Sequence, residues 1–144
     1  MPYRFIDDTS LADEAFQAWG QTIEEMFIAA SDATLNVMVR DVGTVRSRQS
    51  RQVRLAESPL DMLLFQLLQE LIYYKDAERL LLRTRKIRIE PMGNDAWTAE
   101  AELVGETIDP RHHDLIVDVK AITMHRFDVR QTAEGWTALV VVDV

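Results

Sequence analysis

The 144-residue sequence contains no cysteine, which removes disulfides, thiolate metal ligands and thiol nucleophiles together. Glycine is scarce: the five glycines are well separated, and neither a phosphate-cradling glycine-rich loop nor a Gly-x-Ser-x-Gly elbow occurs. No apolar run approaches the roughly 20 residues that a membrane-spanning helix needs. No signal peptide is apparent, since Met1-Pro-Tyr-Arg leads into strand-like sequence rather than an apolar stretch. With the missing cysteines, this sets the expectation of a cytoplasmic protein. Positive charge is also in deficit, with 16 Lys and Arg against 24 Asp and Glu, a net charge of −8. Direct nucleic-acid binding relies on many Lys/Arg–phosphate contacts, so any link to RNA or DNA is expected to run through a protein partner.

What is present reads as one folded domain over residues 1–144. The hydrophobic share of 47% argues against disorder, and the length suffices for a sizeable core. Tyr3–Ile6 and 15–19 are strand candidates joined through an acidic tip, the pair ending at Gly20. Thr22-Ile-Glu-Glu25 is a capping box, followed by apolar residues at helical spacing to about Val39. The basic stretch 40–51 is expected to be a solvated connector into a strand at 52–56. Ser58-Pro59 reads as N-cap and first helical residue of a second helix. Its stripe Leu60, Leu63, Leu64, Leu67, Leu68, Leu71 and Ile72 predicts the more deeply buried helix, ending near 75–78. Strands follow at 80–90 and 96–104, with a turn at 91–95. The loop 106–114 carries His112 and His113, expected to be solvated. In 118–130, alternation assigns Val119, Ala121, Thr123, His125, Phe127 and Val129 to one face and Lys120 to the other, with His125 as a core histidine. Trp136–Val142 reads as a strand buried on both faces. The expected fold is α+β: a two-layer sandwich of a mostly antiparallel sheet with both amphipathic helices on one face, in the order ββαβαββββ.

Chemistry concentrates in oxygen ligands. Asp7, Asp8, Asp13 and Glu14 crowd the first turn, and Asp143 stands beside the terminal carboxylate of Val144. Such a set suits Ca²⁺, Mg²⁺ or Mn²⁺ rather than Zn²⁺. If Lys120 is buried it needs a carboxylate, for which Asp13 and Asp143 are candidates.

The order and spacing of these stretches resemble the archease family. Tyr3-Arg-Phe-Ile-Asp-Asp-Thr-Ser-Leu-Ala-Asp13, Ala18-Trp-Gly20 and Thr22-Ile-Glu-Glu25 are similar to its opening "YEYLEHTAD…AWGxTLEEAF". Asp118-Val-Lys-Ala-Ile-Thr-Met-His125 resembles "EVKAITYH", Val142-Asp-Val144 resembles the closing "FDI", and 60–73 follow "DLLxxWLNELLY". The resemblance implies a non-enzymatic protein cofactor that activates a GTP-dependent RNA ligase in tRNA splicing or RNA repair. It implies a divalent metal held by Asp13, Asp143 and Val144, with Lys120 as the functional lysine. Contact with RNA would be indirect, with no membrane role. Two departures stand out. Asp8 replaces the histidine of "HTAD", and two extra residues separate Thr9 from Asp13, so Asp8 or Asp7 is an alternative N-terminal ligand. Competing readings are a metal-dependent hydrolase or nuclease built on the same acidic cluster, and a metal-free, chaperone-like interaction module.

Overall fold

The computed structural model describes residues 1–7 and 13–144. Its elements are β1 (Tyr3–Ile6), β2 (Asp13–Gly20), α1 (Ile23–Met38), a 3-10 turn (Val42–Thr44), β3 (Gln49–Glu57), α2 (Leu60–Glu78), β4 (Leu80–Gly93), β5 (Ala96–Thr107), β6 (Ala121–Thr132) and β7 (Gly135–Asp143). The α+β class and the order of helices and strands agree with the sequence. The strands divide, however, into two antiparallel sheets, β1-β2-β7-β6 and β3-β5-β4. Alternation reports which face of a strand is buried; it does not report which strands share a sheet, and the long connection between β5 and β6 crosses from one sheet to the other.

The capping box forms as the residues dictate. Glu25 N–H donates to Thr22 Oγ1 at 3.1 Å, and the Glu25 carboxylate accepts from the amides of Gln21 and Thr22. α1 packs on β2 and β4, so it touches both sheets, and buries ten of its 16 residues. α2 packs on β3, β4, β5 and β6 and buries eight of 19, including its whole leucine stripe. The expected ranking of the helices is thus reversed. The reason is size: Ala29, Ala30, Ser31, Ala33 and Thr34 let α1 approach its neighbours on several sides, whereas α2 offers one broad face. The buried hydroxyls of α1 are satisfied, Ser31 bonding Phe27 O at 3.0 Å and Thr84 Oγ1 at 2.7 Å.

Three further expectations change. Pro59, with extended backbone, occupies the cap position of α2, so Ser58 does not cap and the helix starts one residue later. β3 begins at Gln49, and the basic stretch is paired rather than merely solvated. Arg46 and Arg48 meet Glu106, Arg51 meets Glu78 at 2.6 Å, and Arg54 meets Glu100 at 3.4 Å. Finally, β6 starts at Ala121 and its register with β7 shifts between Thr123 and Asp128. Arg126 there adopts a left-handed φ of 56°. A bulge of this kind changes which residues face inward. Ile122 is buried before it, Phe127 and Val129 pack on the core after it, and His125 is exposed rather than a core histidine.

Two central strands hold the rest. In β7, Ala138, Val140, Val141 and Val142 are buried, as a strand covered on both faces requires. In β5, a Cβ on Gly105 would lie 1.7 Å from Leu81 O, so only glycine permits β4 to approach there.

Candidate functional site

β2 and β7 pair without interruption from Asp13↔Asp143 to Gly20↔Trp136. Residues directly opposite on an antiparallel pair have Cα atoms about 4.5–5.5 Å apart and side chains on the same face. Asp13 and Asp143 therefore stand opposite each other on one face at one end of the sheet. Both residues are half-buried. On the other side of β7, Ala121 pairs with Asp143, and the Lys120 amide donates to Asp143 O at 2.8 Å. Lys120 itself is exposed and stands one residue before β6, so it is not the buried lysine the sequence allowed for. Val144 follows Asp143, with its side chain packed against the core. Asp7 is exposed just beyond β1, and Asp8 lies outside the described residues.

This arrangement brings Asp13, Asp143, Val144 and the Lys120 backbone together. Two like charges directly opposed across a ladder destabilise it, and a bound cation relieves the repulsion. The donors are carboxylate oxygens throughout, a set that fits a hard cation such as Ca²⁺, Mg²⁺ or Mn²⁺. No described residue forms an ion pair with either aspartate.

A second cluster joins Glu106, His112 and His113, whose polar atoms lie within 4.8 Å of one another. Contrary to the solvated reading, His113 is 2% exposed. Its Nδ1 accepts from the Asp109 amide at 2.9 Å, so Nε2 carries the proton and donates to Glu106 Oε2 at 3.0 Å. Glu106 also accepts the Arg46 amide at 2.7 Å and its guanidinium at 3.1 Å. Exposed His112 has Nε2 2.8 Å from Thr44 O, to which it donates. Burial pushes the Glu106 carboxyl up, but the bonds from Arg46 and His113 outweigh it and bring its pKa down to about 2. Both ring nitrogens of His113 and the Nε2 of His112 are already committed to these bonds. The cluster is a lock between segments 42–46 and 106–113.

Sequence reasoning also missed Lys75, taken only as marking the end of α2. Its side chain is 4% exposed, and its ammonium reaches Val119 O at 2.7 Å, the Asp76 carboxylate at 2.7 Å and the Asp118 carboxylate. Its only signal in the sequence was the interruption of helical polarity near the leucine stripe. A cavity of about 750 Å³, lined in part by Trp19, Glu25, Ile28, Glu134 and Trp136, lies at the opposite end of the β2–β7 ladder, remote from the carboxylates.

These features define a small two-sheet α+β domain with a paired-aspartate strand end. Residues 3–144 match the model of the archease protein family (MTH1598/TM1083). The protein archease of Methanosarcina barkeri is 32% identical over 142 residues, covering 99% of this chain and 95% of that one. That of Thermococcus gammatolerans is 35% identical over 134 residues, covering 92% and 93%. In structure, the chain is similar to protein 1598 of Methanobacterium thermoautotrophicum, solved in solution, with a TM-score of 0.83, 29% identity and 99% coverage of both chains. An archease from Thermotoga maritima, described as a possible chaperone, shares the fold at a TM-score of 0.51 and 16% identity over 96% of each chain. The chain belongs to the archease family.

Proposed function

We propose that this chain is a non-enzymatic protein cofactor that activates a GTP-dependent RNA ligase, acting through the strand end that carries Asp13, Asp143, Val144 and Lys120. The observation that supports this reading best is the direct opposition of Asp13 and Asp143, with the Lys120 amide bonded to Asp143 O. Residues matched to the family's two terminal motifs thus converge from the two ends of the sequence. The description of a relative as a possible chaperone fits the same general, partner-directed role.

A divalent ion held by Asp13, Asp143 and the Val144 carboxylate would supply positive charge beside the phosphates of GTP in the ligase site. The chain's own residues do the rest. The β2–β7 ladder holds Asp13 and Asp143 opposite each other, and the exposed ammonium of Lys120 is free to meet a phosphate or a ligase carboxylate. The net charge of −8 suits a cofactor that leaves RNA to its partner.

The test is guanylylation of the ligase with GTP, with and without this protein. Activation by the wild type, and at least tenfold less by Asp143→Ala with the fold intact, is the expected result. Equal activation by Asp143→Ala would remove the strand end from the mechanism. RNA turnover by the isolated protein would favour a hydrolase instead.

A further inference from the structure

α2 runs along the side of β6 that β7 does not occupy, and meets its backbone at two places and the segment leading into it at a third. Asp61 Oδ2 accepts the Val129 amide at 3.3 Å, Gln69 Oε1 accepts the Ile122 amide at 3.2 Å, and Lys75 donates to Val119 O at 2.7 Å. The helix thus serves polar backbone groups that an edge strand would otherwise leave open.

We infer that Lys75 is a positioning residue for Lys120: its buried ammonium holds the Asp118 carboxylate and the Val119 carbonyl, and so fixes the segment that delivers Lys120 to Asp143. The inference rests on the functional reading above for its consequence, but on geometry for its substance. A buried ammonium is costly unless each donor is met. Here three donors meet three acceptors, Asp76, Asp118 and Val119 O. Two of the three belong to the segment just before Lys120. That segment has little else to hold it among the described residues. Leu115, Ile116 and Val117 are exposed, and the nearest backbone tie upstream is the isolated bridge of Leu115 to Val39, closed by Arg40 N–H on Asp114 O and Ile116 N–H on Met38 O. Val119 is buried, and the next bond is the Lys120 amide on Asp143 O. A hydrocarbon at position 75 would fill the same volume while leaving both tethers loose.

The test combines amide hydrogen exchange with ligase guanylylation. In Lys75→Met the Lys120 amide should exchange at least tenfold faster than in wild type, while amides of the β2–β7 ladder keep their protection. Asp118→Ala should act in the same direction and less strongly, and it decides the matter if Lys75→Met does not fold. In the activation assay Lys75→Met should lose most activity in the wild-type background and nothing further in a Lys120→Ala background. Unchanged Lys120 exchange in both variants overturns the inference, as does a full additional loss in the Lys120→Ala background. If Asp143→Ala and Lys120→Ala both activate normally, the functional reading fails, and the exchange result still decides what Lys75 does.

Discussion

Glu106 shows how much one side chain can hold. It receives Arg46 through both backbone and guanidinium, Arg48 at 3.8 Å, and His113, from a position only 5% exposed. Its pKa, near 2 in the fold against an ordinary 4.5, means the folded state favours the carboxylate more than the unfolded chain does. The resulting stability is fully present above pH 4.5 and is lost as pH falls through that window towards about 2. Glu106→Gln should therefore unfold at lower urea than wild type at neutral pH. The gap between the two should close as urea titrations are repeated from pH 5 down to about 2. A gap independent of pH would mean that packing, not charge, holds the segment. His113 carries its own lesson at this scale, because its partners Glu106 and Asp109 are near in sequence but Arg46, which completes the lock, lies sixty residues away from Glu106.

Among the elements, α1 is the one whose local signals are complete. Removing the Thr22 hydroxyl frees the Glu25 amide, and Thr22→Ala should cost about 1 kcal/mol, measurable as a lower urea midpoint with an unchanged slope. Caps and stripes of this kind were legible because each depends on residues within a turn or two of one another. The leucine stripe of α2, the inward set Ala99, Ala101 and Leu103 of β5, and the valines of β7 were legible for the same reason. The rest depended on distant partners. The bulge at 124–127 broke the period-two pattern and moved His125 outward, and no pairing rule within 118–130 announces it. The buried Lys75 looked like an ordinary polar helix end because two of its three acceptors sit more than forty residues further on. The aspartates of the candidate site were visible as acidic clusters, and their family roles came through the resemblance; their meeting in register is a property of the ladder.

Over the whole molecule, an ion bound at the candidate site would couple to stability. Any ion that binds only the folded state raises the melting temperature. Millimolar Ca²⁺ or Mn²⁺ should therefore raise that of the wild type by more than that of Asp143→Ala, read by scanning calorimetry; equal shifts would place binding elsewhere. The two sheets also differ in what the chain must do to make them. β4 and β5 are joined by a tight turn at Asn94 and Asp95, whose left-handed backbones suit a two-residue hairpin, and β3 joins them from the same stretch of sequence. The β2–β7 ladder instead closes the longest loop among the described residues, with Gln17 and Thr137 bonded across 120 residues. Loop closure of that length is paid in entropy before any contact rewards it, so the three-stranded sheet should nucleate folding and the paired aspartates should be assembled last. In stopped-flow refolding, core truncations in β5 should slow the folding limb, while truncations in β7 should act mainly by speeding unfolding. A partially folded chain would then have a finished leucine core and no working tip, so whatever partner reads that tip would also be reading whether folding is complete.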